Sequence, residues 1–373
     1  MDSLDLVSFK KEDNFSLKKL YYKGNKLIKC IIISLILLFI LNIYTTYLIF
    51  NLKIKKFEID NKNSRNKSNE LFNNNKNFII ENYIKRQNNF CKYSDKFYNQ
   101  KFEELIQLAN FSFKNISFKM YTYKESMDWM SRMIIKNSEY EPKHMSNFLD
   151  TLKYYGEKNK IKNNEDIFML DIGGNLGVFP SFLGKFGYSI LTFEASPRNS
   201  YIIYKNYCNI NKNSNIIIID KGLSNEEKTC HYYSQIRAIG NGMVLCDINE
   251  ERTISGNLNL QKKFEVKLTK LSNFLPYLSN KNIALIKLDI EGGEGKVMED
   301  AIELINKKHV PFIFSEFDPR YLLKQGTDPK KYLKLFTNNG YKISYEGFLN
   351  VSYVSPEQIK SVHTDLYFIY DKN

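Results

Sequence analysis

Phe168–Val178 reads FMLDIGGNLGV. Phe168, Met169 and Leu170 run into Asp171, and Gly173, Gly174 and Gly177 follow. An apolar run that stops at an acid and a glycine cluster predicts a buried parallel strand ending in a tight turn. Val178 to Gly187 carries apolar residues at helical spacing, with Pro180 in the first turn. Strand, glycine loop and helix in succession turn a helix N-terminus and bare backbone N–H groups toward the polar end of a ligand, and glycine lets that ligand come close.

The spacing narrows the ligand. A dinucleotide fingerprint needs G-x-G-x-x-G, but the register here puts Asn175 where its second glycine would stand. A second apolar run, Tyr188–Phe193, closes on Glu194. An acid about twenty residues past such a loop suits a ribose diol. This D-x-G-x-x-x-G loop with its following acid resembles the S-adenosylmethionine (SAM) site of class I methyltransferases. The resemblance implies Asp171, Gly173, Gly174, Asn175, Gly177 and Glu194 as cofactor contacts. The competing reading is a structural glycine turn. Asn215–Ile219 is a third apolar run, ending at Asp220. Asp220 is placed to meet the adenine ring in a site of this kind, against the plainer reading of a strand-end turn.

The second strong element is IALIKLDIEGGE, Ile283–Glu294. Lys287, Asp289 and Glu291 share one face of a buried strand by its period of two. Charge in a strand covered on both sides is costly unless paired. Either Lys287 belongs to a structural ion pair, or this face opens into a site with Asp289 and Glu291 at the carboxyl end of the strand. Gly292 and Gly293 turn the chain into a helix that starts at Glu294, near its favourable N-terminus. Pro311–Phe317 is the next strand, tipped by Glu316. A helix over Pro329–Thr337 and strands over Tyr341–Tyr345 and Leu366–Tyr370 complete a doubly wound α/β sheet.

The rest of the chain frames this unit. Residues 1–29 are a polar, lysine-dotted tail, and Cys30–Leu52 runs 23 residues without a charge. At about 1.5 Å per residue that run spans a bilayer core as a transmembrane helix. Lysines flank it almost evenly, so the positive-inside count does not orient it. Its layout matches a signal anchor with a lumenal C-terminal domain in the Golgi or endoplasmic reticulum. Residues 53–95 form an Asn/Lys-rich stem. Residues 96–165 read as a mostly helical cover, with helices over Ser126–Ile135 and Lys143–Tyr155 and a strand or hairpin over Phe111–Tyr123. Glu139 and Glu141 read as a solvated connection. Lys228–Lys267 reads as an inserted β-region or a mobile flap, with His231 as a surface or packing residue. The net charge of +13 is spread through Asn-rich sequence, not concentrated on one element, so no nucleic-acid surface is expected. The five cysteines form no C-x-x-C pair, which gives no zinc signal. Cys230 can pair with Cys246 or with Cys208.

LDIGGNLG at 170, FEASP at 193, LTKL at 268, IKLDIEGGE at 286 and SEF at 315 occur in an order that resembles the FkbM family of SAM-dependent methyltransferases, over roughly Asp128–Tyr370. The resemblance implies residues 166–373 as a methyltransferase domain, with Asp289, Glu291, Glu294 and Glu316 matching the family's acidic positions. Tyr140-Glu141 matches a segment before the first strand. Ala195 and Lys270 depart from the usual pattern. The activity implied is O-methylation of a sugar or other hydroxyl on a glycan or small molecule. Such a transfer needs the oxygen held in line and a base for its proton, and Asp289, Glu291 and Glu316 are the candidates. No metal site is evident. Two alternatives are weighed. A catalytically inactive, membrane-anchored relative would bind a partner or cargo. A glycosyltransferase would use D-x-D, which the acidic elements lack.

Overall fold

The structure is a computed structural model that describes residues 79–93, 100–210, 214–247, 260–360 and 362–371. The expected tail, transmembrane run over 30–52 and most of the stem lie outside the described residues. Among the described residues no helix is long and apolar enough to cross a membrane.

The chain enters through helix α1 (residues 79–93) and a hairpin of β1 (Ile106–Phe113) and β2 (Ile116–Tyr123). Helices α2 (Trp129–Asn137) and α3 (Pro142–Lys158) follow. Then β3 (Ile167–Ile172), α4 (Val178–Gly184), β4 (Ser189–Phe193), α5 (Pro197–Ile210) and β5 (Ile216–Ile219) build the first half of a sheet. An insertion carries β6 (Gly222–Leu223), β7 (Lys228–Gln235), β8 (Ala238–Leu245) and β9 (Gln261–Thr269). The second half is β10 (Asn282–Leu288), α6 (Glu294–Lys308), β11 (Phe312–Phe317), α7 (Pro319–Lys324), α8 (Pro329–Thr337), β12 (Tyr341–Ser344) and β13 (Thr364–Tyr370).

Seven strands form the main sheet in the order β12-β13-β11-β10-β3-β4-β5. Neighbours are parallel from β11 through β5, while β13 runs antiparallel between β11 and β12. The order reverses where β3 meets both β4 and β10, and crevices for ligands open at the carboxyl ends of strands at such a switch point. Period-two alternation splits the apolar strand residues between two cores. Met169, Ile190, Ile218 and Leu285 face the side of α2 to α5. Phe168, Leu170, Leu191 and Ile286 face the side of α6 and α8. The sheet is therefore covered on both faces, as the continuous apolar strands require.

Two polar side chains close the sheet where backbone pairing ends. Gln87 on α1 is buried and donates its Nε2 to Ile216 O at 2.8 Å, while its Oε1 accepts Ile218 N–H at 3.1 Å. An amide thus stands in for a missing strand along the edge of β5. Asn206 on α5 accepts Tyr121 N–H at 2.6 Å and donates to Tyr121 O and Leu176 O, so one buried amide holds β2 and the glycine loop together.

The structure sharpens the sequence expectations for the cover, the insertion and the cysteines. The cover over residues 96–165 carries, beside helices α2 and α3, a hairpin where a strand or hairpin was expected: β1 and β2 pair along their whole length, because FSFKNISFKMYTY alternates at the strand period. β1 begins at Ile106, ahead of the alternating run. Of the two readings of the insertion, the β-region holds: it is a four-stranded sheet in the order β6-β9-β7-β8. Disulfides join Cys230 to Cys246 and Cys91 to Cys208.

Asp128 fastens the insertion to the cover. It is fully buried, caps α2 by accepting Ser131 N–H at 2.8 Å, and accepts Gly240 N–H from β8 at 3.1 Å. Asp128→Ala removes a helix cap and leaves a buried N–H unpaired. It should lower the unfolding free energy by about 2–4 kcal/mol, read as a lower denaturant midpoint at unchanged slope. Asp128→Asn should lose less.

Candidate active site

The carboxyl ends of β3, β4 and β10 carry one row of polar side chains. Register places Asp171 beside Thr192 on one flank and Lys287 on the other. Thr192 Oγ1 donates to Asp171 Oδ2 at 2.8 Å. Lys287 Nζ donates to Gly173 O at 2.9 Å and lies 3.2 Å from Asp289 Oδ2 and 3.7 Å from Asp171 Oδ1. Burial disfavours the Lys287 ammonium, but Asp289, Asp171 and Glu141 outweigh it, and its pKa rises above the usual lysine value. Burial raises the pKa of Asp171, against Lys287 and the Thr192 hydrogen bond. Both sequence readings of the charged strand therefore hold at once: Lys287 is in a buried ion pair, and the face it sits on opens into a cavity.

That cavity is about 430 Å³, within the range of small-ligand sites. Gly173, Gly174 and Asn175 line one part of it, with Glu194 and Gly240, Asn241 and Gly242 of β8. Gly173 has φ +91°, and a Cβ there would sit 1.9 Å from Asp289 O, so only glycine lets the two loops touch. The loop's amides are not bare, as the sequence reading expected. Gly173 and Gly174 donate to Phe193 O, Gly177 donates to Gly174 O, and Asn175 N–H donates to Glu194 Oε2 at 2.8 Å. Glu194 Oε1 accepts Ser196 N–H at 2.7 Å. Burial raises the Glu194 pKa to about 7, against these N–H donors.

The other part is acidic. Asp289, Glu291, Glu316, Asp318 and Glu141 all line it. Burial, then the Asp289 charge, raises Glu291 to about 8. Burial, then Asp289 and Glu291, pushes Glu316 well above the carboxylate range. His363 Nδ1 stands 3.6 Å from Glu316 Oε1 and is half exposed. Glu294 lies behind the turn: its Oε1 accepts Ile290 N–H at 2.9 Å, and burial raises its pKa to about 7. Arg320 pairs with Asp318 at 2.6 Å.

Several expected contacts fall outside the lining. Asp171 lies beneath the loop, Gly177 packs against Ile203, and Asp220 is held by Arg86 of α1 at 2.5 Å. Asp220, expected at the adenine ring, thus has a partner supplied by α1, which covers the β5 edge. His231 sits on β7, away from the lining. Conversely, Glu141 is not in a solvated connection but on the cavity wall, in left-handed backbone at the start of α3, with its pKa raised by burial and by Asp289. Trp129, Asn241, His363 and Arg320 also line the cavity, and no spacing in the sequence marks them. Among the described residues no group of three or more His, Cys, Asp or Glu has the arrangement of a metal site.

Lys287→Met leaves Asp171 and Asp289 without their cation. The loss should be about 3–5 kcal/mol of stability, measured by equilibrium denaturation, and Asp171→Asn in the same chain should recover part of it.

Residues 171–343 match the Methyltransferase FkbM domain. Methyltransferase 1 of Beauveria bassiana (strain ARSEF 2860) is 26% identical over 145 residues, which are 36% of this chain and 58% of that protein. The match therefore spans little more than half of that relative. Similar solved structures include a SAM-dependent methyltransferase from Agrobacterium tumefaciens, at TM-score 0.32 and 9% identity, covering 71% of this chain and 70% of that one. Another is a protein of the NADB-Rossmann superfamily from Streptococcus agalactiae, at TM-score 0.30 and 14% identity, covering 59% of this chain and 68% of that one. On the family match and the Beauveria relative, the chain carries a methyltransferase domain.

Proposed function

We propose that the protein is a SAM-dependent O-methyltransferase whose acceptor is a carbohydrate or a similar polyhydroxylated molecule. The observation that carries this reading is Glu194: a buried carboxylate at the tip of β4, locked to the glycine loop by Asn175 N–H and lining the cavity. An acid so placed suits the two ribose hydroxyls of a nucleoside. The open space beside Gly173 and Gly174 suits the methionine half.

When bound, SAM supplies an electrophilic methyl group. The protein supplies position and proton acceptance. Asp289, fixed by Lys287, and Glu141 orient acceptor hydroxyls as hydrogen-bond acceptors. Burial and the neighbouring acids make Glu291 and Glu316 hold their protons above the ordinary carboxylate range, so the base is whichever of the two ionises as pH rises, and that carboxylate takes the acceptor's hydroxyl proton. His363, beside Glu316 and half exposed, offers that proton a way to solvent. The transfer itself needs the oxygen in line with the methyl, which is a matter of geometry more than of acid–base strength.

A membrane-anchored protein with its C-terminal domain in the Golgi or endoplasmic reticulum remains our proposal for location. The uncharged run at 30–52 supports it, as do the two disulfides, which suit an oxidising compartment.

Calorimetric titration of the full chain with SAM tests the cofactor assignment. Saturable binding is expected, and Glu194→Gln should weaken it. Ribose hydroxyls favour the ionised Glu194, whose pKa in the free protein is about 7. Affinity should therefore rise as pH rises through 7 and level off above it, with a difference of about tenfold between pH 6 and pH 8 that Glu194→Gln flattens. A folded protein that does not bind SAM would remove the assignment.

Turnover tests the carboxylate roles. Glu316→Gln and Glu291→Gln should each lower kcat by about a hundredfold or more while SAM affinity stays within about threefold.

A further inference from the structure

Trp129 is the sole tryptophan of the chain. It opens α2, directly after the buried cap Asp128, and is 52% exposed. Of the large apolar side chains left exposed among the described residues, it is the one that lines the methyltransferase cavity. A large indole face left in water at a cavity mouth forfeits the burial that aromatic residues otherwise gain, so its position calls for an occupant. The ring is held, not loose: it meets Tyr140 edge-on, with centroids 6.1 Å apart and planes at 76°. Tyr140 is itself buried and stands next to Glu141.

This places the indole at the acidic part of the cavity. Glu141 follows Tyr140, and its carboxyl feels the charges of Asp289 and Lys287. Glu141 holds its position at φ 45°, and Glu291 at φ 59°, in left-handed backbone that gives glutamate no local benefit. Strain of this kind at a cavity wall persists where it aims side chains at a ligand. The cavity thus offers one flat apolar face together with several hydrogen-bonding carboxyls.

We propose that Trp129 is a stacking platform for the acceptor, and that the acceptor lays the C–H face of a pyranose ring on the indole with its hydroxyls toward Glu141, Asp289 and Glu316. As a claim about the acceptor it rests on the methyltransferase reading, but the binding itself can be measured apart from methyl transfer. A flat aromatic ligand would stack equally well but would leave the surrounding carboxyls unmatched. A quaternary ammonium would suit the indole and the acids, but Lys287, Lys296 and Arg320 also line the cavity and offset the field that would select a cation. Carboxyls that share protons both donate and accept, which matches hydroxyls better than it matches an ammonium.

Because Trp129 is the sole tryptophan, the intrinsic emission of the full chain reports on this one position. Emission should change saturably with methyl glycosides of glucose, mannose, galactose or N-acetylglucosamine, and not with tetramethylammonium. By calorimetry, Trp129→Ala should weaken binding of the responding glycoside tenfold or more, and Trp129→Phe by less than threefold. Both variants should bind S-adenosylhomocysteine within twofold of the parent, which also shows that they fold. An indole silent to every glycoside in a protein that binds S-adenosylhomocysteine would overturn the platform and leave the methyltransferase reading in place. Glycoside binding without S-adenosylhomocysteine binding would do the reverse. A response to tetramethylammonium alone, or unchanged glycoside affinity in Trp129→Ala, would also overturn it.

Discussion

A single buried ammonium joins the two loops that make the cavity. Lys287 Nζ reaches Gly173 O in the loop after β3 and Asp289 in the turn after β10. Removing an amino group from water is costly, and the cost is offset only where carboxylates and a carbonyl surround it. The neighbouring strands supply both: Asp171 stands beside Lys287 by register, and Asp289 follows two residues on, on the same face. The glycine at 173 completes the constraint, since any side chain there would collide with Asp289 O. Charge and steric fit therefore impose the same geometry.

From this junction the cavity divides by chemistry. Toward β4, Glu194 accepts loop and strand-end N–H groups and is raised to about 7 by burial, a carboxyl that further hydroxyl donors would hold in its ionised form. Toward β11, burial and the Asp289 charge raise Glu291 to about 8, and burial with Asp289 and Glu291 pushes Glu316 well above the carboxylate range. The insertion closes over the first part. Asn199 Nδ2 donates to Gly240 O at 2.9 Å, and Asn175 Nδ2 donates to Asn241 Oδ1 at 3.2 Å. The cover supplies Trp129, Tyr140 and Glu141 to the second. Segments outside the sheet thus set what the acidic part can hold.

The strands of the sheet were legible because each is a short apolar run ended by an acid or a glycine. Phe168–Leu170, Tyr188–Phe193 and Ile283–Leu288 leave no other economical reading once both faces are covered. Lys287 was legible as an anomaly, a charge where the pattern forbids one, and pairing is the physical answer to it. What could not be read lies in tertiary contact. Asp220 ends an apolar run as Asp171 does, but α1 brings Arg86 to it, and nothing local to Asp220 announces that helix. Glu141 follows a tyrosine in a polar stretch and reads as solvated. The charges that act on it there, Asp289 and Lys287, stand more than a hundred residues away in sequence. The β1–β2 hairpin was half legible, since its alternation is plain in FSFKNISFKMYTY while Ile106–Leu108 mimics a helical face. Trp129 carries no pattern at all, because an exposed aromatic has meaning only beside a cavity.

A crystal structure of the full chain with S-adenosylhomocysteine tests the central claim most directly. The ribose diol is predicted within hydrogen-bonding distance of the Glu194 carboxylate, with the amino-acid half against Gly173 and Gly174 and the sulfur turned toward Asp289. The ligand bound elsewhere, as in the cleft at the amino ends of β3 and β10 lined by Phe168 and Asn282, or a Glu194 carboxylate left untouched in an occupied cavity, would contradict it.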